Sequence, residues 1–224
     1  MDQLIKATAA DGMLRAYAAV TTDVVAEAMR RHDCYPVAAA ALGRTMTGAL
    51  LFAANLKNKE SVTIKFKGDG PLGTVTADAT ADGSVRGYVD HPHVNLPLNA
   101  HGKIDVGGGI GRGILSVTRF TGLKEPVTGS VDITNGEVAE DLISYLYTSE
   151  QTPSSIGLGV LVSPELECLG AGGFFIQPLP GASDDVIDRL EENLRGISSV
   201  SHMVEEGMDA ADIIGRILGG FDDV

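Results

Sequence analysis

The sequence predicts an α+β fold, in which antiparallel β-sheets pack with a few helices and a helical linker follows. Three observations favour this class. Apolar and polar residues alternate over residues 61–67, which is typical of a strand with one buried face. An Ala-rich run over residues 36–55 is apolar on most faces and indicates a central buried helix. Two prolines and a glycine within residues 177–181 end the last strand and begin a different segment.

The N-terminal residues predict two strands followed by two helices. A turn-forming group at residues 10–12 divides the first part of the chain into two short strands. Thr21 or Thr22 is expected to cap a helix that ends before Pro36. The second helix is interrupted by Arg, Thr and Gly and falls short of a membrane span, which needs about 20 nearly uninterrupted apolar residues. With no signal peptide visible at the N-terminus, we expect a cytoplasmic protein without a membrane partner.

The middle of the chain predicts an antiparallel meander with tight turns. Gly and Asp residues at the ends of the alternating runs supply the turns. The predicted strands cover residues 61–68, 72–80, 84–90, 114–120, 129–134, 156–162 and 170–177, and a helix is expected near residues 138–150. Strand runs interrupted by few helices indicate antiparallel sheets rather than a doubly wound parallel sheet.

Negative charge is concentrated at the C-terminal end. The chain has 30 acidic and 17 basic residues, a formal charge of −13, without a stretch that concentrates Lys and Arg. Nucleic acid is therefore not an expected partner. Residues 183–224 hold 11 acidic and three basic residues. We expect a core domain at residues 1–180 and an acidic helical linker at residues 181–224.

The linker carries one candidate docking face. Ser183 is expected to cap its first helix, and Gly196 to end it. Ile187, Leu190 and Leu194 form an apolar stripe at i, i+3 and i+7. Because this stripe is too narrow to make a core by itself, it is expected to dock on an apolar surface of the core domain.

Motifs for cofactor chemistry are not evident. Residues 107–113 are rich in glycine but match neither phosphate-binding fingerprint, so a flexible loop between strands is expected. Cys34 and Cys168 stand alone, without a CxxC partner, which favours inert buried thiols over a disulfide or a zinc site. Arg86 lies within a predicted strand and is interpreted as an outward-facing or ion-paired residue.

Three histidines leave an enzymatic alternative open. One loop region contains His91, His93 and His101 beside Asp90 and Asp105. Side chains of these types can bind a metal ion, and a histidine can act as a general base. A third ligand at characteristic spacing is missing, so surface histidines are favoured. The enzymatic alternative predicts bound metal and loss of activity on replacing His93. A passive module that binds one dedicated folded partner is a further alternative, and it predicts indifference to unfolded chains.

Four segments resemble one known family. The most specific is residues 66–92, with the runs Lys67-Gly68-Asp69-Gly70-Pro71-Leu72-Gly73 and Val85-Arg86-Gly87-Tyr88-Val89. Residues 43–51, 145–160 and 172–180 agree in the same order. On these motifs the chain resembles the redox-regulated thirty-three-kilodalton heat-shock protein family over nearly its whole length.

The resemblance implies an ATP-independent holdase, not an enzyme, that binds unfolding or partly folded client proteins and prevents their aggregation. In that family a C-terminal module holds zinc through four cysteines, which would lie beyond Val224. A truncated form without this switch is expected, with no cofactor of its own. The resemblance also implies a homodimer. Oxidation of zinc-bound thiolates expels the metal and unfolds such a module. The linker, acidic and narrowly apolar, would then undock and expose the core.

Overall fold

Two antiparallel β-sheets and seven helices form the chain, in a computed structural model that describes residues 1–57, 59–122 and 125–224. The strands are β1 (Gln3–Ala9), β2 (Leu14–Val20), β3 (Ser61–Gly68), β4 (Thr74–Thr80), β5 (Val85–Val89), β6 (Gly113–Phe120), β7 (Val127–Asp132), β8 (Ser155–Val162) and β9 (Cys168–Pro178). The helices are α1 (Thr22–His32), α2 (Pro36–Ala53), α3 (Val106–Ile110), α4 (Ala139–Thr148), α5 (Asp184–Arg195), α6 (Val200–Glu205) and α7 (Ala210–Ile217).

All neighbouring strands in both sheets run antiparallel. The four-stranded sheet has the order β1-β2-β9-β8, and the five-stranded sheet has the order β5-β4-β3-β6-β7. Strand β9 therefore returns from the far end of the chain to lie between β2 and β8. The predicted α+β class with antiparallel sheets is confirmed.

Helix α2 lies between the two sheets and contacts strands of both. By length and composition it qualifies to cross a membrane, which corrects our expectation from the sequence, but 89 % of it is buried inside the protein. This is the position of a core helix. A Cβ atom at Gly43 would lie 2.8 Å from both Val160 Cγ2 and Val25 Cγ1. The glycine therefore allows α2 to approach its neighbours closely.

The structure has four layers, and the two sheets differ in what covers their outer faces. Helices α6 and α7 pack on the outer face of the four-stranded sheet, and α5 packs on α7. The outer face of the five-stranded sheet carries hydroxyl pairs instead, such as Ser116 with Ser130 and Thr118 with Thr128, each with oxygens 2.9 Å apart. These hydroxyl groups form hydrogen bonds with one another and can form them with water, so this face of the sheet can be exposed to solvent without a covering helix.

Helix α1 is capped differently from the prediction. Thr21 is at the N-cap position, but its hydroxyl group forms a hydrogen bond with the Thr47 hydroxyl group at 2.8 Å. The Asp2 carboxylate instead accepts from the backbone N–H groups of Asp23 and Val24, at 2.9 and 2.8 Å. A residue distant in sequence thus supplies the oxygen that the first turn requires.

The glycine-rich segment at residues 107–113 contains helix α3, which corrects the prediction of a flexible loop. Asp105 caps this helix by accepting from the Gly108 N–H group at 2.9 Å. A Cβ atom at Gly109 would lie 2.6 Å from Val37 Cγ1, so the glycine allows close packing against α2. The glycines are evident in the sequence, but their role in packing depends on contacts with α2 that local pattern does not show.

Candidate functional site

The outer face of the four-stranded sheet is an extended apolar surface, which we call the platform face. Its buried residues are Ala9, Leu14, Ala16, Ala18, Val20, Phe174 and Ile176. They share one face because alternate residues of a strand point the same way. The strand register places Ala16 opposite Ile176 and Ala18 opposite Phe174. Small and apolar side chains therefore form a nearly uninterrupted face.

An acidic layer, residues 183–224, closes the platform face and is called the cover here. Its side chains buried against the platform are Leu190, Val200, Met203, Ala210, Ile213, Ile214, Ile217 and Leu218. Most of them belong to α6 and α7. The periodic isoleucines of α7 were visible in the sequence, but nothing local indicated which surface they contact.

Glycines in β8 and β9 allow α6 to rest almost on the sheet backbone. A Cβ atom at Gly159 would lie 2.7 Å from the Ser201 backbone nitrogen. At Gly170, a Cβ atom would lie 2.4 Å from the Ser201 carbonyl oxygen. Contacts below about 3 Å cannot form without displacement, since carbon atoms pack at about 3.5–4.0 Å. The position of α6 therefore depends on these glycines.

The three residues of the predicted docking face have different environments. Leu190 is buried, 3 % exposed, within the contact between cover and platform. Leu194 is partly buried against the same cluster. Ile187 lies outside this cluster, half-buried, in the wall of a cavity that Arg15 and Gln177 also line. Their role as a docking face stays a prediction, and α6 and α7 make most of the observed contact.

Few polar interactions join the cover to the rest of the protein. Among the described residues, the Asp223 carboxylate accepts from the Ala10 and Asp11 N–H groups, and the Gln3 side chain accepts from the Ala210 N–H group at 3.3 Å. Within the described ranges, the ion pairs of the cover are internal to it. The cover is therefore held mainly by non-directional apolar contact, while its net negative charge opposes compaction.

Among the three loop histidines, His93 forms a side-chain contact with a carboxylate. His93 Nε2 lies 2.8 Å from Asp33 Oδ2, and its ring is 5.1 Å from that of Tyr35. His91 and His101 join no metal-binding group: within residues 1–57, 59–122 and 125–224, no three His, Cys, Asp or Glu side chains are placed to hold a metal ion. The described residues thus offer no metal-binding group of the kind that the enzymatic alternative predicts.

Both cysteines are free of disulfides, but only Cys34 is buried as predicted, since Cys168 is half-buried. Burial raises the pKa of the Cys34 thiol to about 11, and burial also raises the pKa of the Cys168 thiol to about 11. Both thiols are therefore protonated near neutral pH. Two isolated thiols do not make up the four-cysteine zinc site that the family resemblance implies. Arg86 pairs with Asp78 at 3.1 Å, as the ion-pair interpretation predicted.

An apolar sheet face closed by a layer with few polar attachments is a feature expected of a chaperone, the class of protein that binds exposed apolar polypeptide. The family model described as Hsp33 protein matches residues 2–224. The chain belongs to the Hsp33 family, the redox-regulated holdase chaperones that act without ATP. As a member of a chaperone family it binds client proteins.

Curated relatives and a solved structure agree with this family. The 33 kDa chaperonin of Bacillus licheniformis is 49 % identical over 220 residues, which cover 98 % of this chain and 76 % of the relative. That of Desulforamulus reducens is 48 % identical and is matched over 75 % of its length. The crystal structure of the 33 kDa chaperonin (heat shock protein 33 homolog) from Thermotoga maritima has a TM-score of 0.92 and 37 % identity. It is matched over 98 % of this chain and 75 % of that one.

Proposed function

We propose that the chain holds unfolding proteins on its platform face, and that the cover must leave this face before a client binds. The observation that carries the proposal is the buried apolar sheet face, closed by residues attached through only a few hydrogen bonds in the described part of the chain. Residues 1–180 act as the core domain and residues 181–224 as the linker. The linker thus occupies the surface that clients need.

The chemistry of the platform face suits indiscriminate holding. Apolar contact contributes about 25 cal/mol per Å² and demands no particular partner geometry. Alanines and glycines leave much of the face without large side chains, so it can contact side chains of many shapes. Binding of this kind uses neither a catalytic group nor ATP, which supports a non-enzymatic role.

The cellular location, the partners other than clients and the oligomeric state stay proposals. We expect the protein to act in the cytoplasm, without nucleic acid or membrane as a partner, and to form a homodimer through exposed apolar surface. Zinc cysteines beyond Val224, as the family resemblance implies, stay a prediction.

Replacing Ile213 with Asp tests the role of the cover. Ile213 is fully buried in α7 against the platform face. The change removes its apolar contact and places a charge there, which should destabilise docking by about 3 kcal/mol or more. Ala211→Asp is the matched control, because it adds the same charge at an exposed position of α7.

The readout is light scattering from a thermally unfolding client without ATP, under reducing and oxidising conditions. We expect Ile213→Asp to suppress aggregation at a lower ratio of chain to client than the wild type or Ala211→Asp. Circular dichroism would confirm that the two sheets remain folded. If the folded Ile213→Asp chain suppressed aggregation no better than Ala211→Asp, the cover would not control access to the client surface.

A further inference from the structure

We propose that the open edge of β8 binds an extended segment of an unfolded client by strand addition, through main-chain hydrogen bonds. This inference rests on the proposed function and adds a second mode of contact to the platform face. Apolar contact on the platform discriminates little between conformations, whereas a sheet edge selects extended backbone.

The hydrogen bonds of β9 determine which groups of β8 are free. Thr21 N–H donates to the Ala171 carbonyl group at 2.8 Å, and Leu179 N–H donates to the Met13 carbonyl group at 2.7 Å. In an antiparallel ladder, residues that bond to one neighbour alternate with residues that bond to the other. The odd-numbered residues of β9 therefore bond to β2, and the even-numbered ones bond to β8.

The same alternation extends to β8. Gly157 and Gly159 lie opposite even-numbered residues of β9 and bond to them. The N–H and C=O groups of Ile156, Leu158 and Val160 then point away from β9, toward the open edge. Within the described residues, these three form no other backbone hydrogen bond. The edge thus offers donors and acceptors at every second residue, which is the spacing of an added strand.

A groove runs along this edge. Its volume is about 520 Å³, and its floor includes six consecutive residues of β8, 157–162. Leu98 and Ile104 also line it, as do the cationic side chains of Arg44 and Lys103. Residues 197–202 of the cover complete the lining. Six strand residues extend over about 20 Å, which accommodates about six residues of a partner strand.

The composition of β8 leaves its edge unprotected. Charged side chains commonly protect edge strands from pairing with other chains. The other described edge strands each contain a charged residue: Lys6 in β1, Arg86 in β5 and Asp132 in β7. Strand β8, with the sequence SIGLGVLV, contains none. Of the described edge strands it is therefore the one that charge protects least from strand addition.

The groove favours a single client strand over a second copy of the chain. A two-fold partner would bring its own β8 edge together with the residues that line its own groove, and both sets of lining residues would have to fit beside the paired strands. An isolated extended segment carries no such lining residues. The groove is also continuous with the platform face through β9, and the cover forms part of its lining. Departure of the cover would thus open both surfaces to the same client.

The test uses a fluorescent decapeptide of alternating valine and threonine with a lysine at each end. Two analogues carry the same number of N-methyl groups, placed either all on one edge of the extended peptide or divided between both edges. Binding to the wild type and to Ile213→Asp is measured by fluorescence anisotropy. We expect the first analogue to bind like the parent peptide, and the second to lose about tenfold or more in affinity, because main-chain hydrogen bonds are lost.

Amide exchange locates the interaction. On binding the parent peptide, the Leu158 and Val160 amides should exchange more slowly, while those of Gly157 and Gly159, already bonded to β9, should change little. Equal binding of both analogues would overturn strand addition in favour of apolar contact alone. A chain dimer that the peptide dissociates, seen by ultracentrifugation, would assign the edge to a second copy and also overturn it.

The client-scattering assay, run on the same preparations, separates this inference from the proposed function. Suppressed aggregation without peptide binding would overturn strand addition and leave the holdase function standing. Neither suppression nor peptide binding would overturn the proposed function, and this inference with it.

Discussion

Replacing Gly170 with alanine tests whether α6 rests on the backbone of β9. The added Cβ atom would lie 2.4 Å from the Ser201 carbonyl oxygen and 3.0 Å from the Glu205 nitrogen. Both are backbone atoms of α6 and cannot rotate away as a side chain can. The helix would have to move outward by about 1 Å to restore an ordinary separation of about 3.5 Å.

The magnitude follows from what α6 buries. Val200 and Met203 are 5 % and 3 % exposed. Full burial of such side chains contributes about 1.5–3 kcal/mol each. A gap of about 0.5–1 Å forfeits a quarter to a half of the contact energy. We therefore expect Gly170→Ala to weaken docking of α6 by about 1–3 kcal/mol, which raises the open population by about 5- to 150-fold.

The assay is residue-resolved amide exchange. The Met203 and Val204 amides should exchange faster by that factor, while the Ile64 amide in the five-stranded sheet should be unchanged, because it lies across α2 from the cover. Gly215→Ala is the control: nothing lies within 4 Å of its Cβ position, and it should stabilise α7 by up to about 1 kcal/mol. Unchanged exchange at Met203 in folded Gly170→Ala would refute the seating of α6 on β9.

Two further predictions concern the core. Asp2→Ala should lower the free energy of unfolding by about 0.5–2 kcal/mol in a urea titration, because the Asp23 and Val24 N–H groups lose their cap; an unchanged midpoint and slope would contradict this. Since burial raises the pKa of Cys34 and Cys168 to about 11, from 9.0, the folded state retains these protons to higher pH than the unfolded state does. Stability should therefore be unaffected by these thiols below pH 9 and fall between pH 9 and 11. Replacing both with serine should reduce that fall in thermal melts, and an identical pH dependence would show that the thiols are not its source.

Elements with strong local periodicity were predictable from the sequence. The alternation at residues 61–67 corresponds to β3, and the Ala-rich run at 36–55 corresponds to α2. Periods of two and 3.6 reflect backbone geometry, so they are readable without knowing the partners. Capping was less predictable: Asp2 supplies the oxygen expected from Thr21, because a cap can come from any carboxylate that the fold brings near.

The α+β class, the order of the elements other than α3 and the acidic amphipathic tail were predictable from the residues alone, because these features depend on local pattern and composition. The folded structure places β9 between β2 and β8, and it brings α6 and α7 rather than α5 into most of the contact with the platform face. It also decided which groups of β8 remain free. Apolar stripes attract any apolar surface, and the choice among surfaces depends on close packing between residues far apart in the chain, such as Gly170 and Ser201.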